Sequence, residues 1–122
     1  MADVVTSVGK ATITGRIKGT SNEPKYGTWG TGAGTAAVGD TVMFTEGSEA
    51  RVIATTTQQT TTVTNDTYRA VFALTADGAK TITNYGLFDA ATVGNMFVHG
   101  DHGSNVLALG DAITYTVNTK IG

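Results

Sequence analysis

The chain has 122 residues, a formal net charge of −2, sixteen glycines, one proline and no cysteine. That length provides one ordinary domain with one core, and the lack of cysteine excludes disulfides and thiolate metal sites. The scattered Lys and Arg argue against a nucleic-acid backbone footprint, and neither a basic n-region nor an apolar run of about 20 residues is present, so a soluble protein made in a reducing cytoplasm is expected.

Met1 to Gly9 carries Val4, Val5 and Val8 without a clear period and reads as an N-terminal arm or a short extra strand, with a single β-domain over residues 10–122. KATITGRI, residues 10–17, alternates Ala11, Ile13 and Ile17 against Lys10, Thr12, Thr14 and Arg16, which predicts a half-buried strand with Gly15 as a bulge. GTSNEP at 19–24 is a turn cluster. YGTWGTGAGT at 26–35 resembles a phosphate-binding loop, but a phosphate cradle needs a helix after the glycines. TAAVGDTVMF follows instead, with no helical stripe, no Lys-Ser or Lys-Thr pair and no acidic partner. The expectation is a wide β-loop in which Tyr26 and Trp29 pack down.

TEGSEAR at 45–51 allows one helical turn at most. ARVIATTTQQTTTVT at 50–64 is β-prone, and its Thr/Gln centre is polar on both faces, the mark of an edge with weakly specified register. That edge is either exposed in a monomer or paired in an assembly. Asn65-Asp66 then turns into TYRAVFALTA, with Tyr68, Ala70, Phe72 and Leu74 on one face, which predicts a hairpin. KTITNYGLFDA, NMFVHG and VLAL read as further short strands. AITYTVNTKI alternates Ile113, Tyr115, Val117 and Ile121 inward. About seven or eight short strands separated by turns predict an all-β fold, an antiparallel β-sandwich (jelly-roll-like) or small barrel.

Chemistry is hard to place on these residues. His99-Gly100-Asp101-His102 has the ligand types of a metal site, but both histidines of the chain are already used and a further ligand must come from elsewhere. A solvated loop or subunit contact is the plainer expectation, and no metal or cofactor is assigned. Glu49 and Arg51 read as a surface pair or loop anchor, and no nucleophile elbow is present, so no enzymatic activity is expected.

PKYGTWGTGAGTAAVGDT, TEGSEARV, TNDTYRAVFALTADGAKTITNYGLFDAATVGNMFVHGD and LALGDAITYTV together resemble a group of small phage virion proteins, described as decoration, cement, head-fibre-like or tail-fibre-like. The resemblance runs from Pro24 to Val117, and its most telling pieces are Trp29-Gly30-Thr31-Gly32, Thr64 to Tyr68, and Gly86 to Asp89. It implies a non-enzymatic structural β-domain, present in many copies on the outer surface of a virion capsid and made in the host bacterial cytoplasm. The implied partners are the major capsid protein and further copies of the chain, as a dimer or trimer, without nucleic acid or membrane. The alternative is a receptor- or glycan-binding module of a tail fibre or tail tip, using Tyr26, Trp29 and the His99–His102 loop. A chain with its own Met1 and no coiled-coil shaft favours the head. Val4, Val5, Val8, Tyr26 and Trp29 are the candidate interaction residues. Residues 2–8 are expected to cross between subunits, so that deleting them lowers capsid occupancy and leaves the fold intact.

Overall fold

The computed structural model describes residues 3–121. Its elements are β1 (Asp3–Val5), α1 (Ser7–Lys18), β2 (Tyr26–Gly30), β3 (Val52–Ile53), β4 (Thr55–Gln59), β5 (Thr67–Thr75), β6 (Lys80–Phe88), β7 (Met96–Leu107) and β8 (Ala112–Lys120). The strands form two antiparallel sheets, a five-stranded one in the order β1-β7-β6-β2-β3 and a three-stranded one in the order β4-β5-β8. This is an all-β, sandwich-like fold.

Strand alternation builds the core between the sheets. On β5, Ala70, Phe72 and Leu74 are buried and Tyr68 packs beside them. On β8, Tyr115 and Val117 are buried, and the register opposes Phe72 to Tyr115 with ring centroids 5.3 Å apart. The five-stranded sheet answers with Trp29, Ile82, Leu87, Phe97 and Val98. Gly27 of β2 lies directly over Phe72, where a Cβ would come within 2.4 Å of the ring. That glycine sets how closely the sheets approach.

Residues 10–17 are helical and not a strand. Thr6 caps the helix, its hydroxyl accepting the Gly9 N–H at 2.9 Å and donating to the Met96 carbonyl at 2.6 Å. Gly19 closes it in the left-handed conformation (φ 86°), its N–H bonding to the Gly15 and Arg16 carbonyls, with Arg16 and Lys18 in the last turn. The buried positions are Gly9 and Thr12, three apart on one face. Gly9 is there because the helix rests on β7: a Cβ would sit 2.2 Å from the Phe97 carbonyl oxygen. Ile17, expected inside, is 84% exposed.

Residues 3–9 are built into the domain. Asp3–Val5 pairs with Val98–Gly100 of β7, Val5 packs against the core, and Val8 lies half-buried in α1. The valines of the expected arm therefore have partners within the chain, and no boundary falls at residue 9; Met1 and Ala2 lie outside the described residues.

Three smaller differences follow from local geometry. NMFVHG and VLAL do not form two strands, because β7 runs unbroken from Met96 to Leu107 beside β6, with a register shift between Ile82 and Asn84. The β4–β5 hairpin forms with β4 as a sheet edge, but its loop covers residues 60–66. That loop is gathered by the Asp66 carboxylate, which accepts the N–H groups of Thr61, Thr62 and Val63. Ile121 follows the last ladder residue and is 53% exposed.

A third layer lies on the far face of the five-stranded sheet. Residues 31–44 cross that face, where Met43 packs with Phe88, Met96 and Tyr26, before Glu46 and Gly47 return alongside Gly30 and Trp29 of β2. The crossing begins as Thr31 and Gly32 donate to the Thr45 and Phe44 carbonyls. A Cβ on Gly30 or Gly32 would lie within 2.5 or 2.8 Å of the Phe44 carbonyl oxygen. The glycines of YGTWGTGAGT thus permit chain-on-chain contact.

Candidate functional site

The outer layer carries most of the polar chemistry. Asn84 on β6 is fully buried and grips Phe44 through both backbone groups, Oδ1 accepting from its N–H at 3.2 Å and Nδ2 donating to its carbonyl at 3.1 Å. This orientation leaves Asn84 Oδ1 as an acceptor for His99 Nε2 at 2.9 Å, while His99 Nδ1 faces the Asp40 carboxylate at 2.7 Å. His99 is fully buried, with the Phe44 ring 4.5 Å from its own. On the same side of β7, Asp101 accepts the Ala36 N–H at 2.5 Å. Both side chains fasten the crossing segment to the sheet.

His102 points the other way. Its Nε2 pairs with the Tyr115 hydroxyl at 2.9 Å, and its ring stacks near Tyr85 at 6.4 Å. Burial, and then the neighbouring Tyr85, raises the Tyr115 hydroxyl above the ordinary phenol range. Strand alternation sends His99 and His102 to opposite faces, so HGDH does not converge on one ion. No group of three or more His, Asp or Glu side chains placed to hold a metal occurs among the described residues.

Trp29 is fully buried, and its Nε1–H donates to Glu49 Oε1 at 2.8 Å. It offers no stacking platform to a glycan and no surface to a partner. Glu49 also accepts the Asp77 N–H at 3.0 Å and pairs with Lys80, which in turn meets Asp77 at 2.8 Å. Burial by itself would raise the Glu49 pKa, but the bonds from Lys80, Trp29 and the Asp77 amide together outweigh it and hold it at about 2. Bonds to Asp77 and then to Glu49 raise Lys80. The acid partner of Arg51 is therefore Glu46 and not Glu49.

Comparison with family models, curated proteins and solved structures returns no match. The functional reading rests on the chain itself.

Arg51 organises the most exposed apolar feature of the outer layer. Its guanidinium forks onto Glu46 with two bonds of 3.0 Å, lies 3.7 Å over the Phe88 ring, and donates to the Ala90 and Val93 carbonyls at 3.0 and 2.7 Å. Asp89 closes the same loop by accepting from the Asn95 amide and side chain at 2.7 and 3.0 Å. Within it, Val93 has φ 57° and is 83% exposed. A β-branched residue in that conformation is strained and persists only where its surroundings enforce it. Val93 and Val42, the latter 69% exposed, rim one small recess over Phe88 and Arg51.

Two larger concavities lie near α1. An apolar groove of about 440 Å³ runs between Ile13, Ile17, Tyr68, Phe97 and Ile121. A polar cleft of about 530 Å³ contains Lys25, Tyr26 and Asp89, and Arg16 and Glu23 line both. Glu23 accepts from Thr56 at 2.7 Å and from the Tyr68 hydroxyl at 3.0 Å. The Thr56 bond, opposed by burial and helped by Tyr68 and Lys25, lowers its pKa. Of the five candidate interaction residues, Tyr26 faces this cleft, Val4 and Val5 line a recess beside β8, Val8 lies in α1 and Trp29 is interior. Val42, Val93 and Arg51 were not among them. The signal available was a valine, and not Asn or Asp, placed before Gly94 in a turn.

Proposed function

We propose that this is a non-enzymatic phage virion protein that decorates the outer surface of a capsid and binds across adjacent copies of the major capsid protein. The sequence resemblance supplies the class and the partner. The observation that carries the reading is the outer layer: Val93 stands exposed on a loop locked by Arg51 and Asp89, Val42 stands exposed across the same recess, and Val93 is held in a strained conformation. Strain maintained at an exposed apolar side chain fits a pre-shaped contact whose loop entropy is already lost before binding. Many such contacts repeated by symmetry raise the free energy needed to separate capsomers.

Val93→Asn tests this. Asparagine tolerates the left-handed conformation and removes the apolar contact. The expected result is a chain at least as stable as wild type that occupies capsids less fully in a binding assay. Wild-type occupancy by Val93→Asn refutes the assignment of this face.

A further inference from the structure

The three-stranded sheet ends on β8, which pairs with β5 along its full length, and among the described residues no strand pairs with its other edge. The direction of its backbone groups follows from the residues flanking the ladder. The Ala76 N–H donates to the Asp111 carbonyl at 2.7 Å, and the Ile121 N–H donates to the Asp66 carbonyl at 2.9 Å. Both lie in the register that joins β5 to β8, so the odd-numbered residues of β8 turn their N–H and C=O groups inward. Alternation turns those of Ala112, Thr114, Thr116, Asn118 and Lys120 outward, and all five residues are exposed.

The strands at the other sheet edges are short: β1 has three residues, β3 two and β4 five, and β7 runs past β1 from Asp101 to Leu107. β8 has nine, with no proline, no bulge against β5 and one charge, Lys120, at its end. It lacks the usual devices that keep an edge from pairing. We propose that β8 pairs antiparallel with β8 of a second copy of this chain, about a two-fold axis at Thr116, joining two three-stranded sheets into one of six strands.

The edge is self-complementary in this register. Thr116 meets Thr116, Thr114 meets Asn118 and Ala112 meets Lys120, so outward-bonding residues face outward-bonding residues and no like charges are opposed. On the core face Tyr115 meets Val117. A recess of about 160 Å³ between β1 and β8, lined partly by Val4, Val5, Val98 and Val117, opens beside the same edge and is shielded by the added strand. The proposal narrows the expected homo-oligomer to a named strand, and it rests on edge geometry whether or not the chain binds a capsid.

The test uses free protein, so its result is separate from capsid occupancy. The chain has no cysteine, which makes single-cysteine variants unambiguous. In the proposed register the two Thr116 Cα atoms lie about 5.5 Å apart, within the range of a disulfide. The two Thr114 Cα atoms are offset by four residues, about 14 Å along the strand, beyond that range. Thr116→Cys is expected to oxidise to a covalent dimer on a non-reducing gel, and Thr114→Cys to stay monomeric under the same oxidant. By sedimentation, wild type is expected to be a dimer. Thr116→Pro removes only an outward N–H, which an edge strand tolerates, and is expected to be a folded monomer. A monomeric wild type, no cross-link through Thr116→Cys, or equal cross-linking through Thr114→Cys overturns the proposal. Should Thr116→Pro fail to fold, the cysteine pair decides alone.

Discussion

Thr6→Val keeps the shape of a fully buried side chain and removes its hydroxyl. That hydroxyl does two things, capping α1 through the Gly9 N–H and donating to the Met96 carbonyl on β7. Loss of an N-cap costs about 1 kcal/mol. Leaving a buried polar group without its partner costs about 1–3 kcal/mol more. The total, about 2–4 kcal/mol, corresponds to a fall in Tm of roughly 8–16 °C for a domain of this size. Thr6→Ser keeps both bonds and loses one methyl, so it should stay within about 1 kcal/mol of wild type. Urea denaturation followed by circular dichroism measures all three chains. If Thr6→Val unfolds at the wild-type midpoint, or Thr6→Ser is as damaged as Thr6→Val, the hydroxyl does not tie helix to sheet. Deleting residues 2–8 is correspondingly expected to destabilise the domain, since it removes β1 and the cap together.

Three further outcomes are open to measurement. The Glu49 carboxylate is held at about 2 against an ordinary 4.5, so its stabilisation is complete above pH 4.5 and is lost as pH falls toward 2. Glu49→Gln should flatten that acid limb of a stability–pH curve, and an unchanged limb refutes the role. Trp29 fluorescence should be blue-shifted and shielded from iodide in the native chain, whereas quenching like that of free tryptophan contradicts its burial. Gly27→Ala places a methyl against Phe72 and should cost about 1–3 kcal/mol by chemical denaturation; a neutral result shows that the sheets can part there without penalty.

The parts legible in the sequence are those where one face of a strand meets the core. Tyr68, Ala70, Phe72 and Leu74 on β5, and Tyr115 and Val117 on β8, alternate because side chains of a strand do. Helix α1 was hidden because its buried face consists of Gly9 and Thr12, which carry no hydrophobic signal, while Thr12 to Thr14 favour strands. Only the caps, Thr6 and Gly19, marked its ends. The long crossing at 31–44 was unreadable for a different reason. Asn84, Asp101 and Arg51 hold it or its neighbours through bonds spanning 39–65 residues, and no local pattern records them. In HGDH the decisive fact was already present: a spacing of three on a strand sends His99 and His102 to opposite faces.

The proposed role puts this chain on the outside of a phage head. An electron-microscopy map of the virion tests it most directly. Density for a sandwich of this size, repeated over the outer surface where capsomers meet, is the expected result. Density for this chain confined to the tail contradicts it.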